Sequence, residues 1–531
     1  MQKNIRQLLD AMSLEEKVGQ LFVLAFAGRD LDYASYLVRE RHIGGFYLTD
    51  DNAATPEQAK QLATQLQHQA SLRPCDAPLL LAVDQEGAWG ILTKYLDLGP
   101  GNLALGKADD EKLTSEVYQM FARQIGALGY NCILGPCADV NTNPDNPIIG
   151  QRSFGEQPQA VARQVCAAVE GLHQGGLLAC AKHFPGHGDT AEDSHQTLPV
   201  VDKSEAELLE QDLMPFQAAV NAGVDLVMTS HIRFPQLDSD LPATLSKPIL
   251  TELLKQQMGF GGIIITDSMN MWAMRRQYDP VGAALMALEA GAHLVMLSEE
   301  HYENQSTDYK AIQKATLDGV IDAVRQGRVS ETLLDSRLGE VLTMRYQKLQ
   351  RPSSPLIQTQ DGKLSVQAAR QAIRRLRENK PMPDLTTPCY FIPLADPANQ
   401  ERLVNSRGIG PNDPRAASSE LLKSLHGKLP ELIAVEFPQL QAFLTAPDQR
   451  FADKPILAVW EDYPLPGEDF DPAQGQRLTQ LLQQYPDNLH LLLLGPDYPL
   501  QHFSNVQSCI CTYSSRWVSA QALAEFLLTR N

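Results

Sequence analysis

The sequence predicts an α/β protein in two parts: a (β/α)8 TIM-like barrel, followed by a smaller α/β sandwich-type domain. The chain has 531 residues, more than one hydrophobic core usually supports. Short apolar runs alternate with segments of helical periodicity between residues 19 and 300, and new strand-like runs begin near residue 385. We therefore place the barrel at 1–347, a linker and connecting helix at 348–384, and the C-terminal domain at 385–531.

Eight runs rich in Val, Ile and Leu predict the barrel strands, because buried parallel strands are apolar on both faces. In chain order they are GQLFVLAF, GGFYLTD, PLLLAVDQE, NCILGPCADV, LLACAKHF, VDLVMTSH, GGIIITDS and AHLVMLSE. Segments such as QPQAVARQVCAAVEGLHQG and SEAELLEQDLMPFQAAVNAG follow such runs and predict helices. The alternation indicates βα units around a closed parallel sheet.

The C-terminal third predicts a second, partly parallel sheet. RPSSPLIQTQDGK bears Pro and Ser with little apolar content, which indicates a linker, and SVQAARQAIRRLREN predicts a helix after it. Strand candidates follow in CYFIPL, ELIAVEF, PILAVWE and NLHLLLLGP, with helical stretches such as RLTQLLQQY between them.

Composition and charge argue against several classes of partner. The formal net charge of −19, with no basic run to offset it, argues against nucleic acid and anionic membrane surfaces. Eight cysteines without a repeated CxxC pattern favour a reducing compartment. The first 22 residues form an amphipathic pattern without the apolar stretch of a signal peptide. We expect a cytoplasmic protein, although a secreted form whose signal had been removed would look the same.

Polar or ionisable residues end most of the predicted strands. In a closed parallel barrel these ends converge on one rim, so the side chains are expected to face a common pocket. The alternative is that solvent simply begins at the strand ends, where polar residues are tolerated. The residues are Asp50, Asp84, Asp139, Lys182 with His183, His231, Asp267, and Ser298 with Glu299.

The loop KHFPGHGDTAEDSH concentrates titratable groups after the fifth strand. Pro185 and its neighbouring glycines predict a turn over the rim. Asp193 and His195 are two residues apart, so an extended backbone points both side chains to one side. Asp193 could then orient the His195 ring, which would donate and accept a proton near neutral pH.

Other interpretations of these residues stay open. Asp193 and His195 could form a surface pair, and Asp267 could be a structural, salt-bridged aspartate instead of a nucleophile. A metal site is a further rival, but no HExxH or paired CxxC spacing supports it, and we expect no metal and no cofactor. Its candidate ligands are His183, His187, Asp189, Asp193 and His195.

Several of these motifs resemble glycoside hydrolase family 3, in particular its β-N-acetylglucosaminidase branch. The loop KHFPGHGDTAEDSH resembles the signature of that branch. The stretch NTNPDNPIIGQRSFGEQP resembles the segment that precedes this signature in the family. VDQEG is similar to the sugar-binding strand end, and ITDSMNM to the nucleophile strand. IGGFYLTD, AGVDLVM and LPATLS add weaker similarity, and the resemblance covers about residues 10–345.

The resemblance implies roles for seven residues. Asp267 corresponds to the nucleophile, and His195 to the general acid/base, oriented by Asp193. The positions that grip sugar hydroxyls correspond to Asp84, Arg152, Lys182 and His183.

The implied activity is that of a retaining exo-β-N-acetylglucosaminidase. It would act, as a monomer or homodimer without a cofactor, on a small oligosaccharide or glycoside derived from chitin or from peptidoglycan, as in cell wall recycling. A phosphorylase using the same nucleophile and histidine is one alternative, and a non-catalytic sugar-binding protein is another.

This chain departs from the family pattern after the third strand. Members often continue with Gly-Arg-Val and a further Arg, whereas Ala88 and Trp89 stand here. Trp272 and Met274 likewise replace smaller residues after the nucleophile strand. These changes leave Asp84 intact but put the aglycone preference in doubt.

Overall fold

The computed structural model describes residues 4–87, 89–191, 198–298, 308–349, 360–400, 413, 415–445, 454–462 and 471–529. The chain forms two compact units, and the second takes up two short segments from the first third of the chain. The first unit comprises Met1–Gln85, Thr114–Ile148 and Glu156–Gln358; the second comprises Glu86–Leu113, Ile149–Gly155 and Thr359–Asn531.

The first unit is an eight-stranded parallel barrel, as predicted. Its strands are β1 (Phe22–Leu24), β2 (Gly45–Tyr47), β3 (Leu80–Val83), β4 (Cys132–Ile133), β5 (Leu178–Phe184), β6 (Leu226–Thr229), β7 (Ile263–Ile265) and β8 (Val295–Leu297). They are ordered β7-β6-β5-β4-β3-β2-β1-β8, and a parallel bridge from Ile265 to Leu294 closes the ring between β7 and β8.

One buried cluster draws residues from every strand and fills the barrel, because alternate strand residues point inward. Fully burying a Val, Leu, Ile or Met side chain of this cluster contributes roughly 1.5–3 kcal/mol. The cluster includes Val23, Tyr47, Leu80, Cys132, Leu178, Leu226, Ile263 and Met296.

Helices follow the strands of this unit, and their first turns carry the expected signals. Ser13 and Ser204 each form a capping box with the glutamate three residues later, and Pro56 and Pro158 occupy first helical positions. The α-helices are Ile5–Ala11, Leu14–Gln20, Leu31–Arg39, Pro56–Ser71, Glu111–Ala127, Pro158–Gln174, Glu205–Glu210, Leu213–Asn221, Trp272–Arg275, Pro280–Ala290, Tyr309–Arg325 and Glu331–Lys348; Pro248–Gln257 is a π-helix, and Asp50–Asn52 and Ala243–Leu245 are short 3-10 turns.

The second unit is a mixed sheet between two apolar layers, which confirms the predicted sandwich-type domain. Its strands are β9 (Arg374–Glu378), β10 (Cys389–Pro393), β11 (Leu432–Ala434), β12 (Ile456–Glu461), β13 (Leu489–Leu494) and β14 (Ser508–Cys511), ordered β11-β10-β12-β13-β14-β9. All neighbours run parallel except β14 and β9. Its helices are Asn102–Ala108, Asp361–Ala372, Ala417–His426, Phe437–Thr445, Gln474–Gln484 and Trp517–Leu528, with 3-10 turns at Gly150–Arg152 and Tyr498–His502.

The predicted helix SVQAARQAIRRLREN is wrong in its second half. The helix ends at Ala372, and Arg374–Glu378 forms the edge strand β9 against β14. Helix propensity is a weak force, and main-chain pairing with β14 overrides it. The charged side chains of β9 suit a sheet edge, where they discourage pairing with other chains.

Among the described residues, no helix has both the length and the apolar character needed to cross a lipid bilayer.

Candidate active site

Two predicted substrate-binding residues form a largely buried ion pair at the rim of the barrel. Asp84 follows β3, and Lys182 lies near the end of β5. Lys182 Nζ donates to Asp84 Oδ1 over 2.5 Å, and Tyr47 Oη donates to Asp84 Oδ2 over 2.8 Å. The Lys182 side chain is 3% exposed, so its charge is held by this carboxylate in a site with little water.

His183, the next residue, is held by an aspartate that follows β4. The His183 ring donates from Nδ1 to Asp139 Oδ2 over 2.7 Å, and its main-chain N–H also points to this carboxylate. Burial alone would raise the pKa of Asp139, but the His183 ring and the accepted hydrogen bonds lower it below its ordinary value. The carboxylate therefore fixes the ring so that its other nitrogen, Nε2, points away from Asp139.

The PGHG turn packs onto the segment after β4. The main-chain N–H of His187 donates to Asp139 Oδ1 over 2.7 Å, and its ring nitrogen Nδ1 bonds Thr190 Oγ1 over 2.9 Å. Asn146 Nδ2 donates to the His187 carbonyl over 2.8 Å. A Cβ atom at Gly188 would lie only 1.7 Å from the Val140 oxygen, so this close approach requires glycine.

Asp267 lies two residues beyond β7, where the sequence predicts the nucleophile. It is half-buried and accepts a hydrogen bond from the main-chain N–H of Ser268 over 2.7 Å. His231, which follows β6, donates from Nε2 to the Ser268 carbonyl over 2.9 Å. The end of β6 thus supports the backbone next to Asp267.

Arg152 lies in the second unit, where it forms a two-point ion pair with Glu86. Arg152 Nε and Nη2 donate to the two Glu86 oxygens over 2.8 and 2.9 Å, and the Glu86 side chain is fully buried. Asn102 Nδ2 donates to the Arg152 carbonyl over 2.7 Å. The Trp89 ring lies against the guanidinium, 5.2 Å from its carbon to the ring centroid. This geometry fixes the plane of the guanidinium.

Of the seven predicted site residues, Asp193 and His195 lie outside the described residues. Within the first unit the structure brings Asp84 to Lys182. The sequence interpretation missed three partners: Tyr47 on Asp84, Asp139 on His183, and Glu86 on Arg152. Asp139 ends a predicted strand and Glu86 lies in the VDQEG motif, which are the signals that could have identified them; Tyr47, inside the second predicted strand, carries no such signal.

One group of potential metal ligands occurs among the described residues. Cys137, Asp139 and His183 are buried, with ligand atoms within 4.8 Å of one another. They share only His183 with the ligand set that the sequence suggested. Cys137 Sγ donates to Asp139 Oδ2 over 3.1 Å, and His183 donates to the same oxygen, so hydrogen bonds account for their proximity.

A protein-family comparison matches residues 13–344 to the family described as the glycosyl hydrolase family 3 N terminal domain. Beta-hexosaminidase A of Pseudoalteromonas piscicida is 33% identical over 280 residues, which are 50% of this chain and 47% of that protein. A beta-N-acetylglucosaminidase/beta-glucosidase of Cellulomonas fimi is 30% identical over 331 residues, covering 60% and 57% of the two chains. The matched parts are thus only about half the length of these two relatives.

Among solved structures, a glycoside hydrolase family 3 beta-N-acetylglucosaminidase from Paenibacillus sp. str. FPU-7 is similar over nearly the whole chain. The TM-score is 0.85 at 29% identity, and the match covers 98% of this chain and 97% of that one. The similarity therefore extends over both units.

Proposed function

The chain belongs to glycosyl hydrolase family 3, and on that premise we propose that it is a retaining exo-β-N-acetylglucosaminidase. Its substrates are oligosaccharides derived from chitin or peptidoglycan that end in N-acetylglucosamine. The paired arrangement at β3, β4 and β5 carries the proposal: Asp84 holds Lys182 while Asp139 holds His183. Two adjacent residues of one strand are thereby fixed as hydrogen-bonding groups, as recognition of neighbouring sugar hydroxyls requires.

The proposed reaction has two steps. A carboxylate oxygen of Asp267 attacks the anomeric carbon, the bond to the leaving oxygen breaks, and protonated His195 gives its proton to that oxygen. Water then attacks the same carbon, neutral His195 accepts a proton from the water, and Asp267 is released as a carboxylate. Asp193 orients His195 through both steps. The roles of His195 and Asp193 rest on the loop motif alone.

Lys182, His183 and Asp84 of the first unit bind hydroxyl groups of the terminal sugar in this proposal, and Arg152 keeps the sugar-binding role that the family resemblance gives it. Charge-assisted hydrogen bonds that strengthen as the ring distorts lower the barrier, whereas bonds equally strong in the ground state lower only KM. The buried ion pairs hold Lys182 and Arg152 in place before the substrate arrives, so little ordering is needed on binding.

Hydrolysis of an aryl β-N-acetylglucosaminide tests the proposal. We expect Asp267→Ala and His195→Ala to lower kcat on the order of 10³-fold or more. The exposed Asp322→Ala is the matched control and retains activity. Proton NMR identifies the first-formed sugar, which is the β anomer if two displacements occur. Full activity in either variant, or α anomer as the first product, refutes the mechanism, and loss of activity with a chelator indicates a metal.

The same assay with inorganic phosphate separates hydrolysis from phosphorolysis. Water as the acceptor gives free N-acetylglucosamine whether or not phosphate is present. Formation of the sugar 1-phosphate instead identifies a phosphorylase.

A further inference from the structure

Trp89 is a buried residue with an unused hydrogen-bond donor. Its side chain is nine-tenths buried, and among the described residues no acceptor lies within reach of its indole Nε1. Buried donors are almost always paired, since leaving one unpaired costs the full loss of its hydration. An unpaired buried N–H beside a functional group therefore requires an explanation.

Within the second unit, Trp89 lies against Arg152, a residue to which the family resemblance gives a sugar-binding role. Its ring stacks on the guanidinium of Arg152, which the Glu86 carboxylate fixes from another direction. Trp460 in the same unit shows the usual arrangement, because its Nε1 donates to Asp462 over 2.9 Å. Trp89 thus differs from Trp460 because none of the described residues accepts a hydrogen bond from its indole N–H.

We propose that Trp89 is a specificity-determining residue whose indole N–H donates a hydrogen bond to an oxygen of the sugar that Arg152 binds. The inference rests on the proposed function and deepens it: the ligand is a pyranose with an acceptor oxygen at the Arg152 side. In the described part of the free protein the N–H has no acceptor, and the sugar oxygen supplies one. Tryptophan at this position supplies a neutral donor and a flat apolar surface together, a combination suited to a sugar ring.

Trp89→Phe tests the proposal, because phenylalanine keeps an aromatic ring on Arg152 but removes the N–H. We expect about a tenfold rise in KM for the aryl β-N-acetylglucosaminide, with kcat changed less, and a free-protein Tm equal to or above that of the wild type. A residue that only packs gives an unchanged KM. Trp89→Leu removes the ring as well, and we expect a larger loss of kcat/KM.

Trp460→Phe is the matched control. Losing its bond to Asp462 lowers the Tm, while KM stays at the wild-type value. If Trp89→Phe has the wild-type KM, the inference is overturned and the proposed function stands.

If the wild-type protein does not cleave the glycoside, the proposed function fails, and calorimetric binding of N-acetylglucosamine and of glucose decides the role of Trp89. Weaker binding of either sugar by Trp89→Phe supports the inference. Equal binding by both proteins, or binding of neither sugar by the wild type, overturns it.

Discussion

Substitution of Asp139 by asparagine is expected to destabilise the barrel rim and slow the reaction together. Asp139 Oδ1 accepts from the main-chain N–H groups of His183 and His187, while Oδ2 accepts from the His183 ring and from Cys137. An asparagine keeps one oxygen but presents an NH2 group in place of Oδ2, so the His183 ring and the Cys137 thiol lose the charged acceptor to which they donate. A hydrogen bond to a charged group contributes about 1.5–3 kcal/mol, and the thiol bond is weaker, so we expect a loss of roughly 2–4 kcal/mol.

The effect on catalysis follows from the orientation of the ring. The asparagine NH2 faces Nδ1 and requires that nitrogen to accept, which moves the ring proton to Nε2. We expect kcat/KM to fall about tenfold to a hundredfold, the equivalent of one such bond. Urea unfolding of the barrel and hydrolysis of the aryl glycoside measure the two effects.

Asp189→Asn, in the loop after β5, is the matched control. The Asp189 side chain is about one-third exposed and accepts from Thr142 Oγ1 over 2.8 Å, with Lys203 3.5 Å away. Exposed ion pairs of this kind contribute about 0–1 kcal/mol to stability. The unfolding free energy of Asp189→Asn should therefore stay near the wild-type value. The reasoning is refuted if Asp139→Asn unfolds at the wild-type urea concentration, or if both variants lose equal stability.

Two further predictions concern stability. Burial opposes ionisation of Asp225, but hydrogen bonds from His173 and Lys348 lower its pKa below the ordinary 3.8. We expect ionised Asp225 to stabilise the fold fully above about pH 4, and this stabilisation to be lost as the pH falls through the folded-state pKa. The unfolding free energies of the wild type and of Asp225→Asn should therefore converge in acid. A difference that stays constant with pH contradicts this. Gly188→Ala places a Cβ against a main-chain oxygen and should cost about 1–3 kcal/mol by thermal unfolding, whereas Gly261→Ala, with open space around its Cβ, should unfold as the wild type does.

The barrel could be predicted because its strands are continuous apolar runs that end at polar residues. Parallel strands buried on both faces leave this pattern in any sequence, and the closed ring then determines which ends are neighbours. Asp84 and Lys182, 98 positions apart in the chain, are on strands β3 and β5 with β4 between them, and they meet because the strand ends of the barrel converge on one rim. Strand β9 could not be predicted, because its alternation is weak and the strand it pairs with lies far along the chain.

The site could be predicted only in part, since side-chain partners depend on loop paths that no short pattern specifies. Glu86 stands in the recognised VDQEG motif, yet its pairing with Arg152 depends on how the segment Ile149–Gly155 returns to it within the second unit. In the sequence Asp139 is one of several strand-end residues. Only the structure shows that His183 and His187 both donate hydrogen bonds to its carboxylate.

Lys182, His183 and Asp139 at this rim are buried, so each must be paired before any ligand arrives, or the fold loses stability. The chain meets this requirement with Asp84 and Asp139, which fix Lys182 and His183 in the orientation a sugar needs. The hydrogen bonds that stabilise the rim are therefore the same bonds that prepare it for binding. A substitution that weakens the hydrogen bonds of Asp84 or Asp139 should therefore lower both the stability of the fold and the affinity for the sugar. Trp89 in the second unit is the contrasting case, because no described residue accepts a hydrogen bond from its indole N–H, so removing that donor should weaken binding without weakening the fold.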